Sequence, residues 1–192
     1  MISYIAGKKG FGKTQFVRRK IIPSKKRVIV LDSLGFEYPY LTTETIFDFS
    51  ETLAKNFKND FFRITYNPFD DHQKEFFQMS LHFFDVLLII EEADLYCSPS
   101  SIDESLDRLI RYGRHRKIDL CFVSRRPAEV HRNVTAQADE IISFRQTEPR
   151  DLEYFKKLTD HWEDLKTLKK WLYGTQMIED IHFKTVISPA EK

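Results

Sequence analysis

Cysteine is scarce: Cys97 and Cys121 are the only two in the chain. Two thiols, one of them in a strongly apolar run, argue against a disulfide scaffold and fit a reduced compartment. Neither sign of charge is in excess. The formal net charge is +1, so no whole-surface argument for nucleic-acid binding exists, and any contact with DNA must come from a local patch or from several subunits acting together. No apolar run approaches the ~20 residues of a membrane span, so no stable membrane insertion is expected. The N-terminus enters an apolar segment at once, which leaves no room for a signal peptide. A cytoplasmic location follows as the expectation. Repeats, linkers and low-complexity segments are also missing, which predicts one domain over residues 1–192. What the chain does have is 42% hydrophobic residues and 17 Phe, enough for a packed core and unlike a disordered segment.

The stretch Gly7-Lys8-Lys9-Gly10-Phe11-Gly12-Lys13-Thr14 fits G-x-x-x-x-G-K-[ST], the phosphate-binding loop of nucleotide triphosphatases. A triphosphate needs several backbone N–H groups aimed at one place, and glycines let the chain curl into that nest. The spacing assigns Lys13 to the β- and γ-phosphates and the Thr14 hydroxyl to a Mg²⁺ shell. Residues 1–6 read as a strand and residues 14–22 as a helix closed by Pro23, the context the motif requires.

Continuous apolar runs mark strands covered on both faces. Residues 28–32 form one, ending at Asp32 and a Gly35 turn. Its acids stand either at a ligand-binding sheet edge or as plain surface carboxylates. Residues 61–66, 118–123, 140–145 and 182–187 read as further strands. Helices are predicted over 43–57, over 71–84 with Phe76, Phe77, Leu81 and Phe84 inward, over 149–158, and over 162–171. Ser101-x-x-Glu104 reads as a capping box opening a helix that runs to about Tyr112, with Leu106, Leu109 and Ile110 on one face and Gly113 at its end. A second chemical centre is Val86-Leu87-Leu88-Ile89-Ile90-Glu91-Glu92. A buried strand here delivers two adjacent acids beside the loop, one for the metal's shell and one to polarise a water. The run from Arg111 to Lys117 holds five basic residues in seven. It reads as a DNA contact, as a reach to a neighbouring subunit's nucleotide, or as a solvated loop.

In this order the motifs resemble the HerA–FtsK superfamily of DNA-pumping ATPases, and within it the compact genome-packaging ATPases of viruses and phages. The resemblance is carried by residues 7–14, by Asp32-x-x-Gly35-x-Glu37-Tyr38, by 87–94, by Gly113-Arg114-His115, and by the stretch from Phe122-Val123-Ser124-Arg125-Arg126-Pro127 to Phe144-Arg145. It covers Met1 to about Phe155 and leaves 156–192 without a role. It implies a three-layer α/β P-loop NTPase fold of the additional-strand, RecA/HerA-like type, with a mainly parallel sheet. The loop strand would lie next to the Ser124-tipped strand, and that one next to the Glu91/Glu92 strand. It implies ATP and Mg²⁺ as cofactors, with Gly7, Lys8, Lys9, Gly10, Phe11, Gly12, Lys13 and Thr14 holding the nucleotide. Thr14 and Glu91 would serve the metal, Glu91 standing where Asp is usual, and Glu92 would be the catalytic base. Arg114, with Arg111 second, matches an arginine finger acting in trans. Relatives often carry Gln as a γ-phosphate sensor before the Arg-Pro pair. Arg125 stands there in this chain, so either Ser124 or Arg125 would sense the phosphate, or the sensor lies elsewhere. The implied assembly is a homo-oligomeric ring, pentamer or hexamer, around double-stranded DNA. For a viral protein this means host cytoplasm or virion, with a capsid vertex protein as a further partner. The implied function is ATP-driven DNA translocation, packaging a viral genome. Its alternatives are a filamentous-phage assembly ATPase of the zonula-occludens-toxin type and a cellular HerA-like translocase.

Overall fold

The computed structural model describes residues 1–35, 38–69, 71–159, 162–170, 172–177 and 184–187. Glu37 of the motif after Asp32, Trp171, and His182 and Phe183 at the start of the last expected strand lie outside the described residues. In chain order the strands are β1 (Ile2–Ala6), β2 (Arg27–Leu31), β3 (Leu41–Thr43), β4 (Phe62–Tyr66), β5 (Val86–Ile90), β6 (Cys97–Ser98), β7 (Ser101–Ile102), β8 (Ile118–Ser124), β9 (Glu140–Ser143), β10 (Leu172–Met177) and β11 (Lys184–Ile187). The helices are α1 (Lys13–Phe16), α2 (Ile46–Asn56), α3 (Gln73–Ser80), α4 (Glu104–Tyr112), α5 (Arg132–Ala136) and α6 (Pro149–Lys156). Nine strands form one sheet in the order β11-β10-β9-β1-β8-β5-β2-β4-β3. From β9 to β3 every pair is parallel, and only β10 and β11 run antiparallel to their neighbours. As expected, β1 neighbours β8, and β8 neighbours β5.

The period of two along a strand splits each apolar run between two faces. Tyr4, Ile29, Leu31, Leu88, Ile90, Leu120 and Phe122 pack on one side with Phe49 of α2, Phe76 and Phe77 of α3, Leu106 of α4 and Phe155 of α6. Ile5, Val28, Val30, Leu87, Ile89 and Val123 pack on the other, under Val17 and Ile22, which continue from α1. This is the three-layer arrangement, and it puts the C-terminal ends of the seven parallel strands from β9 to β3 on one edge, where the phosphate loop and the two acids meet.

Several expected elements differ. Thr43 lies in a strand, not in a helix: Leu41, Thr42 and Thr43 pair with β4. The following helix starts only after Thr45, whose Oγ1 accepts from the Asp48 amide at 3.1 Å. The aromatic stripe shifts at its end. Because α3 stops at Ser80, Phe83 turns inward and Phe84 is left 44% exposed. Ser101 is drawn into the β6–β7 hairpin, so Asp103 caps α4, its Oδ1 accepting from the amides of Ser105 and Leu106 at 2.8 and 3.1 Å. Gly113 keeps a right-handed backbone. The first helix changes winding, passing into a π turn over Val17–Ile21 and a 3-10 turn over Ile22–Ser24. In place of the helix expected over 162–171, the described residues of that span hold a 3-10 turn, Asp164–Lys166. Beyond it, β10 closes the open edge of β9, with Gly174–Met177 paired antiparallel to Glu140–Ser143.

Candidate nucleotide site

The loop is held between two strand ends. The Gly7 amide donates to the Ser124 carbonyl at 3.3 Å and the Lys8 amide to the Arg145 carbonyl at 2.9 Å. A Cβ on Gly7 would stand 2.4 Å from Cβ of Phe144, so nothing larger than glycine lets the loop start sit on β9. Gly12, at φ 111°, turns the chain through the left-handed region into α1. The Lys13 side chain folds back over the loop, its Nζ donating to the Gly7 carbonyl at 2.7 Å. Lys13 is buried, and its ammonium pKa is lowered by desolvation, against the pull of Glu92 and Glu91.

Across from the loop, β5 ends in the two acids. Glu91 is 5% exposed and accepts a hydrogen bond from the Tyr38 hydroxyl. Burial raises its pKa from 4.5 to about 7; the Tyr38 hydrogen bond opposes the shift, and the nearby Asp32 carboxylate adds to it. Glu92 stands in a left-handed conformation at φ 50°, ψ 51°; its Oε1 accepts from Nε of Arg125 at 2.9 Å, and Nη2 of the same guanidinium lies 2.8 Å from it in an ion pair. A cavity of about 430 Å³ lies between the two groups. Gly10, Gly12, Lys13 and Thr14 line one wall, and Asp32, Glu91, Glu92 and Arg125 the other. A larger cleft of about 530 Å³ opens at the opposite sheet edge, beside Lys25, Lys26, Arg27 and Lys58. It has neither the loop nor paired acids, so the smaller cavity is the candidate site.

The remaining predicted residues separate. Ser124 is fully buried, and its Oγ is hydrogen-bonded to the Tyr4 hydroxyl at 2.7 Å inside the core. Of the two proposed sensors only Arg125 reaches the cavity. Arg114 is exposed, in the 3-10 turn Gly113–Arg116 at the opposite end of β8. The seven residues of β8, at roughly 3.3 Å each, set that turn about 20 Å from the loop. Arg111 is paired with Asp107 at 2.7 Å. Arg116 is structural, donating to the carbonyls of Phe83 and His82 at 2.9 and 3.1 Å.

Sequence reasoning did not single out Tyr38 as the partner of Glu91. It also missed two residues that hold the turn after β8. The buried Gln146 donates through Nε2 to the Arg125 carbonyl at 3.3 Å. The buried Asp151 accepts from Nε of Arg126 at 3.1 Å and from the Ala128 amide at 3.2 Å. Polar residues made buried by a helix start or a strand end carry no local signal of it.

No protein-family model and no curated protein matches the chain. Solved structures do. The genome packaging NTPase B204 of Sulfolobus turreted icosahedral virus 2, in complex with AMPPCP, superposes with a TM-score of 0.78 at 22% identity, covering 95% of each chain. The chain has a P-loop NTPase fold. The DNA-packaging ATPase B204 of Sulfolobus turreted icosahedral virus matches at TM-score 0.75 and 23% identity, again over 95% of each chain. VirB4 of Thermoanaerobacter pseudethanolicus matches at TM-score 0.62 and 12% identity, over 99% of this chain and 90% of that one. The full span of the match takes in the segment after Phe155, which the motifs did not reach.

The buried Glu91 makes a measurable demand on this NTPase fold. A carboxyl held at about 7 when folded and near 4.5 when unfolded binds its proton more tightly in the folded state. Its contribution to stability is therefore full below pH 4.5 and is lost as pH rises toward 7. Glu91→Gln removes that loss. Thermal melts of the metal-free protein in EDTA are expected to show the variant more stable than wild type at pH 8, by on the order of 1–3 kcal/mol, with the difference shrinking at pH 5. A variant less stable at pH 8 than at pH 5, relative to wild type, would contradict the burial of an uncompensated charge.

Proposed function

We propose that this chain is an ATPase that hydrolyses ATP in a ring of identical subunits to translocate double-stranded DNA, and that its cargo is a viral genome being packaged. One observation carries the proposal: a phosphate loop with Lys13 and Thr14 faces Glu91 and Glu92 across a single cavity. In this reading the loop amides and Lys13 hold the β- and γ-phosphates. Glu92 takes the proton of the attacking water as its oxygen bonds to the γ-phosphorus. The bond to the β-γ bridging oxygen breaks, and ADP and phosphate leave.

Thr14, Asp32 and Glu91 line the cavity, and their side chains carry oxygen, the donor that Mg²⁺ takes. Among the described residues no group of three or more His, Cys, Asp or Glu could hold a metal by itself. This suits an ion that arrives on the phosphates and is completed by one or two protein oxygens. Thr14 and Glu91 are the residues proposed to complete it, and the ion would neutralise charge on the β- and γ-oxygens.

The distance of Arg114 from its own subunit's cavity excludes it from that site and fits a finger that serves a neighbour's site, which supports the ring. The fold shared with two proteins described as genome- or DNA-packaging enzymes supports the cargo. Among the described residues no helix is long and apolar enough to cross a membrane.

Translocation is testable apart from hydrolysis. A third strand annealed to duplex DNA is expected to be displaced by the protein with ATP and Mg²⁺, and not with AMPPCP. Vigorous ATP hydrolysis that leaves the third strand in place would remove the translocation reading.

A further inference from the structure

The ion pair between Arg125 and Glu92 joins the residue that would recognise the γ-phosphate to the one that would activate water. Both guanidinium donors fall on one carboxylate oxygen, at 2.9 and 2.8 Å. One of the two carboxylate oxygens is thus engaged, and its charge is turned toward Arg125 and not toward a water. We infer that Arg125 is a latch on Glu92, released when the terminal phosphate of a nucleoside triphosphate takes over the guanidinium, so that recognising a triphosphate and freeing the base are one event. The inference rests on the nucleotide-site reading above.

The surroundings decide which partner moves. The Arg125 backbone is held on both sides: Gln146 donates to its carbonyl at 3.3 Å, and the preceding carbonyl, of Ser124, accepts from Gly7. The backbone of Glu92 is set by its left-handed turn. What remains mobile is the Arg125 side chain, 35% exposed against 16% for Glu92. Both side chains line the cavity that Lys13 enters. A γ-phosphate placed there carries more charge than a carboxylate and offers the planar guanidinium fork two oxygens in place of one, so it outcompetes Glu92 for the same donors. ADP brings no third phosphate and leaves the latch closed. The exchange moves one ion pair and makes or breaks no covalent bond. Arg125 is then a positioning residue for Glu92 and the determinant of triphosphate over diphosphate.

A double-mutant cycle read by calorimetric binding of AMPPCP and of ADP tests this without turnover. Glu92→Gln weakens the competitor for Arg125 and should tighten AMPPCP binding by about fivefold or more, with ADP unchanged. Arg125→Ala should weaken AMPPCP and not ADP. In the Arg125→Ala background, Glu92→Gln should no longer tighten AMPPCP. Equal tightening by Glu92→Gln in both backgrounds would mean simple charge repulsion between Glu92 and the phosphates, and would overturn the latch. A wild-type protein that binds neither nucleotide would overturn the nucleotide site itself and the latch with it. If Arg125→Ala does not fold, Arg125→Lys keeps a charge without the fork, and the Glu92→Gln effect should be reduced in that background; an undiminished effect there also overturns the latch.

Discussion

Lys13→Ala is expected to abolish ATP hydrolysis, with a loss of at least roughly 10²–10³-fold in turnover, while the protein stays folded. The two halves of this expectation have separate causes. Lys13 is the cation that the motif spacing predicts for the β- and γ-phosphates, and transition-state charge on those oxygens would go unmatched without it. Its contribution to the folded state is small or negative. It is buried against the loop's own carbonyls, and desolvation already lowers its pKa, so removing the ammonium relieves a cost. A steady-state phosphate-release assay beside a thermal melt checks both halves. Normal turnover in the variant would remove the site assignment. A collapse of the melt would show that the lysine is chiefly structural.

The second large effect is one of complementation. Arg114→Ala should be inactive alone, with a loss of roughly 10³–10⁵-fold if Arg114 is a finger, and Glu92→Gln should be inactive alone. Mixed, the two should recover part of the activity. The reason is geometric. Arg114 lies at the far end of β8 from its own phosphate loop, so if it is the finger a complete site would need Glu92 of one subunit and Arg114 of the next, as a head-to-tail interface would supply. In a mixed ring some interfaces pair an intact Glu92 with an intact Arg114. Activity measured across mixing ratios should peak between the pure variants. A flat line at zero for every ratio would count against a finger in trans.

Much of this was legible in the sequence, and for identifiable reasons. The loop is a contiguous motif whose glycines answer to backbone demands, and the structure shows one of them, Gly7, to be a contact that admits no side chain. Residues 86–90 declare a doubly covered strand by their unbroken apolar run, and the acids that follow must then emerge at the strand's C-terminal edge. Neighbouring positions at a strand end were harder. Ser124 and Arg125 are adjacent, yet one hydroxyl enters the core toward Tyr4 and the other side chain enters the cavity. Which of the two faces the ligand depends on what packs on each side of the sheet. The Arg125–Glu92 and Tyr38–Glu91 pairs join residues 33 and 53 positions apart, so no window of sequence contains them. The misread elements were weakly marked. The three-residue strand β3 lies at a sheet edge, α3 ends without glycine or proline, and the helical spacing after 162 yields only the turn Asp164–Lys166, where the Gln146 amide donates to the Leu165 carbonyl at 3.0 Å.

The measurement that bears most directly on the central claim is the ATP hydrolysis rate per subunit as a function of protein concentration, at low salt, with and without duplex DNA. The arrangement of Lys13, Glu92 and a distant Arg114 predicts a rate that climbs as subunits assemble and rises further when DNA is added. A rate that is flat with concentration and indifferent to DNA would contradict a shared-site DNA motor and leave a self-contained enzyme or switch in its place.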